Sequence, residues 1–511
     1  MKPYKACILL LATALCSLTT FGQSLPEKLK AQIHASALPG LQYPNEVRAF
    51  YQHNNYNYSW LDEQHRSDLR QLMVYTGNSA MLGLQQTDYH PELCHAWLAG
   101  EPLHDSVSAE LQFTDAALHW LHDLLQGNKT ESLGYDGLKY QPGCYDLPLL
   151  LNTYLLSGRF ALLLAEQELK DPAYTAVRSR LSSLVTVVSA PGFKDVAVTS
   201  NKVSNSNPAL VSRLQQWGFV PADSSKPSDA LLKAKLKEAQ NLFGLLNDGA
   251  LRSTTLQALN VPLRQRVGEL ENALNAMRWL HCIKQEQHVA IVNLPSASLL
   301  LYEHGNLVLT SRLIVGKQST PTPTLSSTIT EVILYPYWNV PYKIATRELL
   351  PIIKRNRGYL AANNYQVLNS SGKVVNPENI NWHSLGPSNF PYTIRQSTGC
   401  DNALGLVKLN FYNPFSVYLH DTPNKFLFSM NKRYFSHGCM RLEKAMELGR
   451  YIMRGNTLAL DTLSEKGCLR NQAPITVPAT EKIPVFVLYH TAWINAGGEL
   501  RFYEDVYRKI K

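Results

Sequence analysis

The hydrophobic period of this 511-residue chain changes once, near residue 287, and the change calls for two kinds of fold in series. Before it, apolar residues recur at spacings of three and four, as in Val267, Leu270, Leu274, Met277 and Leu280, which is the stripe of an amphipathic helix. After it come short runs, Val289-Ala290-Ile291-Val292, Leu299 to Tyr302 and Leu307 to Leu309, with a turn signal at Glu303-His304-Gly305-Asn306. A chain of this length does not close around one core. The expected architecture is α+β and multidomain: a helical N-terminal scaffold and a small three-helix module, then a β-rich domain carrying a helical lid insertion.

The first residues read as a transport signal. Lys2 and Lys5 precede an apolar run from Ala6 to Leu18, followed by Ser17, Thr19, Thr20 and Gly22. The run is too short to span a bilayer, so residues 1–22 are expected to be a cleaved leader and the remainder an exported protein without a membrane span. Lipoprotein processing at Cys16 fits less well, because Leu15 stands where a small residue is preferred. The formal charge of +9 is spread without a Lys/Arg block, which argues against nucleic acid and suits an anionic polymer. Cys7 and Cys16 fall in the leader; Cys94, Cys144, Cys282, Cys400, Cys439 and Cys468 remain, without disulfide-scaffold or metal-knuckle spacing. Cys94 with Cys144 is one conceivable pair. If Cys439 is kept free, at least one other must also be unpaired or bridged to another molecule.

Residues 23–200 read as a helical scaffold, with helices expected from Ser108 to Leu125 and from Leu149 to Glu168, and no catalytic constellation. The polar stretch Ser200 to Pro208 is a loop or linker. In residues 207–262, Pro227 and Ser228 precede a helix with Leu232, Leu236, Ala239 and Phe243 on one face. Asn247-Asp248-Gly249 then turns, and Ser253 or Thr254 caps a second short helix. Residues 263–286 form a connecting helix, 287–465 the β-rich domain and 466–511 a segment returning a strand to it. Within the β-rich domain the pattern breaks between Trp338 and Arg395: Ile344 to Lys354 looks helical, and Gly-, Asn-, Ser- and Pro-rich stretches follow. An insertion of this size, residues 340–398, is expected to act as a lid.

Chemistry-bearing residues cluster just after it. Phe415 to His420 alternates as a strand, so Tyr418 and His420 share one face while Val417 and Leu419 face a core. The stretch ending Ser436-His437-Gly438-Cys439-Met440-Arg441 runs into an amphipathic helix, placing Cys439 near a helix N-terminus, where thiolate would be favoured. Gly438 lets backbone approach a substrate, and either His420 or His437 can activate the thiol.

A histidine, a gap, then Ser-His-Gly-Cys-hydrophobic-Arg resembles the signature of the L,D-transpeptidase (YkuD-type) catalytic domain, complete here from His420 to Arg441. Gln240, Gly244-Leu245, Asp248-Gly249, Thr255 and Ala258-Leu259 resemble a small peptidoglycan-binding module, with Arg252-Ser253 replacing its usual Gly-Pro. Tyr335 to Pro341 and Asn402 to Gly405 flank the insertion as in the large Gram-negative members; Cys400 departs from that pattern. The resemblance implies a YkuD-like β-sandwich with Cys439 as nucleophile and His420 as general acid/base. Backbone N–H groups of Gly438 and Cys439, with the Tyr418 hydroxyl, would make the oxyanion hole. His437 would orient and Ser436 shape the turn, Arg441 would brace the turn or meet a substrate carboxylate, and Tyr337, Trp338 and Asn339 would bind substrate. The implied reaction is 3→3 cross-linking of peptidoglycan tetrapeptide stems in the periplasm through a thioester, with release of D-Ala and no cofactor or metal.

Three rivals remain at this point. A zinc site of His420, His437 and Cys439 has no fourth ligand at recognisable spacing. An L,D-carboxypeptidase would use the same residues with water as acceptor. A non-catalytic wall-binding protein would have no need of the His420/Cys439 pair. His281, His288, His304, His383 and His490 belong to no constellation.

Overall fold

The computed structural model describes residues 25–35, 38–63, 65–103, 105–455, 458, 461, 463 and 472–510. The expected leader, residues 1–22, lies outside them, as does Cys468. Among the described residues no helix is long and apolar enough to cross a membrane.

The chain forms two compact units. One comprises the described residues up to Val74 with Thr87–Trp120 and Asp146–Leu163; the other comprises Tyr75–Gln86, Leu121–Tyr145 and everything from Leu164 onward. The first is helical. Its Glu110 is fully buried and accepts the backbone N–H groups of Ser59, Trp60 and Leu61, which fixes an irregular loop inside an apolar core. The helix expected at Ser108–Leu125 spans Ser106–Gln126. The one expected over Leu149–Glu168 is broken instead: it runs Leu147–Leu156, then a 3₁₀ turn at Phe160–Leu162 and a short helix Leu163–Gln167. Gly158, at φ +65°, takes the left-handed conformation that ends the first piece.

In the second unit, helices start where short polar side chains satisfy their first N–H groups. Asp171 accepts from Ala173 N at the head of Pro172–Val188, Asn207 from Leu210 N at the head of Pro208–Gln216, and Ser228 from Leu231 N at the head of Asp229–Leu242. Leu232, Leu236, Ala239 and Phe243 are buried together, as their spacing requires. The next helix, Ser253–Asn260, follows Arg252 without a side-chain cap, so neither Ser253 nor Thr254 plays that part. Buried Gln240 ties this region: its amide donates to Asp248 Oδ1 and Ala250 O and accepts from Gly249 N at 2.7 Å. The connecting helix is two helices, Leu263–Trp279 and His281–Glu286. Cys282 on the second is bridged to Cys144, so the Cys94–Cys144 pairing is incorrect; Cys94 is a buried free thiol.

The strands are β1 (Tyr135–Asp136), β2 (His288–Asn293), β3 (Ser298–Glu303), β4 (Asn306–Gly316), β5 (Leu325–Leu334), β6 (Trp338–Asn339), β7 (Tyr365–Leu368), β8 (Val374–Val375), β9 (Thr393–Gln396), β10 (Val407–Phe411), β11 (Leu419–His420), β12 (Tyr434–Ser436), β13 (Met440–Leu442), β14 (Ile475–Leu488), β15 (Ala492–Ile494) and β16 (Leu500–Phe502). His304 and Gly305, both at positive φ, make the tight turn between β3 and β4. The main sheet runs β1-β5-β10-β11-β13-β4-β3-β2-β14. The long strand β14 also pairs antiparallel with β5 through a register shift between Pro478 and Ile483, so the strand path closes around one apolar core. The C-terminal segment therefore returns the expected strand, parallel to β2.

The insertion between β5 and β10 carries the expected helical stretch, from Tyr342 to Arg355, and also a four-stranded sheet, β6-β9-β7-β8. It has its own core, including Val340, Ile353, Val367, Trp382 and Ile394. Periodicity missed the sheet because its strands are two to four residues long.

Candidate active site

Three neighbouring strands set the floor of the site. β11 pairs antiparallel with β10 and parallel with β13, so Lys408, His420 and Arg441 stand directly opposite one another on consecutive strands. Directly opposed side chains point to the same face. The other face of the same strands is core: Val407, Leu409, Val417, Leu419, Met440 and Leu442 are all buried in one cluster. The expected alternation thus holds, although the strand itself covers only Leu419–His420, because Pro414 and Phe415 turn and Ser416 adopts φ +56°.

Cys439 immediately precedes β13 and is a partly exposed free thiol. The helix expected to begin there starts at Ala445, after the short strand, so no helix N-terminus faces the sulfur. Burial accordingly pushes the Cys439 thiol up; hydrogen bonds from the Tyr418 backbone and hydroxyl, and the charges of Lys408 and Arg441, pull the other way. Burial, and then the Cys439 charge and hydrogen bond, raise the Tyr418 phenol well above its usual value, so it stays a donor.

His420 is buried, and its Nδ1 lies 2.6 Å from the Asp421 carbonyl. A carbonyl can only accept, so Nδ1 carries the proton and Nε2 holds the lone pair. Burial and the Arg441 charge lower its pKa to about 3 against the Asp421 bond. Asp421 is anchored in turn: its carboxylate accepts from Leu406 N and pairs with Lys425, and its N–H donates to Val407 O.

The turn carrying the thiol is braced from beneath. Ser436 Oγ donates to Cys439 O at 2.6 Å and accepts from Gly438 N at 3.1 Å. Gly438 adopts φ +119°, a conformation side-chain-bearing residues rarely take. Its N–H, one of the three donors expected for an oxyanion hole, is engaged by Ser436 in this conformation. Fully buried Thr322 accepts from Gly316 N and donates to Gly438 O at 2.8 Å. The Tyr507 hydroxyl donates to Gly316 O and accepts from Thr322 N. Gly316 has to be glycine, because a Cβ there would lie 2.2 Å from Thr320 O.

His437 points to the insertion between β5 and β10, with Nε2 2.8 Å from Glu348 Oε1. Arg441 is half-buried, and its Nε has no hydrogen-bond partner. The expected substrate-binding residues stand at the start of the insertion, on and beside β6. Trp338 packs on the lid core, the Arg395 guanidinium covers the Tyr337 ring at 4.2 Å, and Asn339 is exposed. Cys400 is disulfide-bonded, so it is not the stray thiol its position in the sequence suggested. Among the described residues no three His, Cys, Asp or Glu side chains are grouped to hold a metal ion.

Residues 287–460 match the model of the L,D-transpeptidase catalytic domain, and residues 45–181 match a model described as a scaffold domain. Over residues 287–460 the chain is thus similar to L,D-transpeptidase catalytic domains. A Haemophilus influenzae protein named "Putative L,D-transpeptidase" is 37% identical over 235 residues, 46% of this chain and 47% of that protein. The match spans about half the length of that relative. Among solved structures, an L,D-transpeptidase from Mycobacterium smegmatis is 13% identical, covering 39% of this chain and 58% of that one, at a TM-score of 0.18. One from Xylanimonas cellulosilytica is 14% identical, covering 58% and 98%, at a TM-score of 0.16.

Sequence reasoning missed Lys408, Thr322 and Tyr507 around the candidate site. The pattern Val407-Lys408-Leu409-Asn410-Phe411 does mark an alternating strand. What it lacks is the register that sets Lys408 opposite His420, since nothing local encodes a cross-strand partner.

Proposed function

We propose that this protein is an exported peptidoglycan L,D-transpeptidase that forms 3→3 cross-links through a Cys439 thioester. The observation that carries the reading is the free, half-buried Cys439 thiol hydrogen-bonded by Tyr418, with His420 on the neighbouring strand paired to Arg441 and its Nδ1 committed to the Asp421 carbonyl.

Cys439 Sγ attacks the carbonyl of the third stem residue while its proton passes to His420 Nε2. Nδ1 stays bonded to the Asp421 carbonyl, which steadies the imidazolium. Because His420 is a weak base, that imidazolium gives its proton readily to the departing D-Ala amine as the carbon–nitrogen bond breaks. The Tyr418 hydroxyl and the Cys439 N–H take the oxyanion, and Gly438 N–H joins them if the Ser436 contact rearranges. The side-chain amine of a second stem then attacks the thioester, His420 accepts its proton, and Sγ leaves. Removing one oxyanion donor typically costs about 10²–10³ in rate. Arg441, with an unpartnered Nε, suits a carboxylate of the stem. Glycan contact is assigned to residues 207–262, and the lid limits access of water to the thioester.

The test is mass spectrometry of full-length protein, wild type and Cys439→Ala, with disaccharide-tetrapeptide. Dimer formed with loss of one D-Ala, absent from the variant, is the expected result. Tripeptide without dimer makes the protein a carboxypeptidase. No turnover and no adduct from folded wild type leaves a wall-binding protein.

A further inference from the structure

The row Lys408–His420–Arg441 is electrostatically lopsided. Like charges directly opposite on neighbouring strands repel, and here three groups able to carry positive charge stand in line. Part of the repulsion is relieved by keeping His420 neutral. Lys408 and Arg441 stay, both half-buried, with little local anionic charge. The Lys408 ammonium sits 4.2 Å from the centre of the Tyr418 ring, on an aromatic face and not in a carboxylate pair. Glu331 on β5, the acidic group that also faces it, is held by the Asn410 amide at 2.5 Å. Burying a lysine this way is costly unless an anion answers it. The group placed to answer is Cys439, whose ionised form interacts with Lys408, Arg441 and the Tyr418 hydroxyl together.

We propose that Lys408 is an electrostatic positioning residue of the acyl-transfer site: held on the face of Tyr418 opposite His420, its charge favours the Cys439 thiolate and the anion that follows it. The inference rests on the transpeptidase reading for its purpose but not for its test. Two effects add. The ammonium attracts the sulfur charge directly. By drawing on the ring's π-electrons it also makes the Tyr418 O–H a stronger donor to that sulfur. The proposed source of nucleophilicity is thus two cations, Lys408 and Arg441, flanking the neutral His420 across the strands, there being no helix N-terminus at the sulfur. The groups that act on Cys439 are Tyr418 just before β11, Lys408 on β10 with Glu331 behind it on β5, and Arg441 on β13; His420 stands between Lys408 and Arg441 on β11, and His437, two residues before the thiol, is engaged by Glu348.

The experiment is the pH dependence of Cys439 alkylation by iodoacetamide in the full-length protein, followed by peptide mass, with Cys439→Ala as the blank for other thiols. Lys408→Met and Lys408→Gln should each move the titration of Cys439 upward by about one unit and slow alkylation at neutral pH about tenfold. Lys408→Arg, which keeps the charge, should restore the wild-type profile. A wild-type profile in a folded neutral variant overturns the proposal. So does an equal loss in Lys408→Arg, which would make the role one of shape. If Lys408→Met does not fold, Lys408→Gln, which keeps a polar tip, decides. The readout is thiol reactivity, so turnover failing for other reasons leaves this result interpretable, and the reverse.

Discussion

Nε2 of His437 lies 2.8 Å from Oε1 of Glu348, so the residue two positions before the candidate nucleophile is tied to the lid by one polar contact. Both side chains are about one-third to one-half exposed, 35% and 49%. Pairs with that much solvent contribute only about 0–1 kcal/mol, which makes this a latch that opens cheaply.

The latch predicts a local effect. In Glu348→Ala, backbone amides of residues 345–355 should exchange several-fold faster with deuterated water, while global stability changes by no more than about 1 kcal/mol. Exchange at the wild-type rate across that segment would show that the lid is held by other contacts.

The depressed His420 pKa fixes the sign of a stability change. The unfolded imidazole binds a proton near its ordinary value of 6.5, the folded one only near 3, so the unfolded state binds more protons between those values. Stability is therefore retained above about pH 6.5 and lost progressively as pH falls toward 3. In His420→Gln that part of the slope should be missing from a series of thermal melts. Under the proposed mechanism the same variant should lose about 10²–10⁴ in turnover.

Thr322 predicts a fault at a distance. Thr322→Val keeps the volume but orphans Gly316 N–H and Gly438 C=O in a buried place, at a cost of about 1–3 kcal/mol. Urea melts should record that loss, and alkylation of Cys439 should change as its turn loosens. A variant matching wild type in both would mean that the turn is held without the threonine.

The bridge between Cys144 and Cys282 closes a loop across 138 positions. Opening it by Cys144→Ser with Cys282→Ser should cost about 2–5 kcal/mol, read as a lower denaturation midpoint. Reductant should shift wild type in the same direction, and identical midpoints would remove the bridge from the account of stability.

What could be read from the sequence was what is local. The alternation around Val417 to His420, the tight turn at His304-Gly305 and the helix capped by Ser228 each depend on residues within a few positions, and each stands where spacing put it. The motif at Gln240, Asp248-Gly249 and Thr255 was equally visible, and these residues turn out to bond one another. Pattern singled out Cys439 and His420, but the helix N-terminus it expected at the thiol is absent, because a three-residue strand intervenes before the helix. The partner of Cys282, the sheet within the lid and the opposition of Lys408 to His420 depend on chain segments brought together from far apart, which no local period records.

The lid leaves and rejoins the main sheet at one place. Leu334 and Val407 are register partners, and Tyr335 N donates to Leu406 O at 3.0 Å. To the sheet, everything from 335 to 406 is a single oversized hairpin loop whose two ends are already stitched. Because that loop has its own core, the closure entropy of so long an excursion is offset inside the excursion itself. The excursion touches the candidate site again at two single points, Leu406 N on the Asp421 carboxylate and Glu348 on His437, so a change of size or chemistry within it reaches the floor only through those contacts.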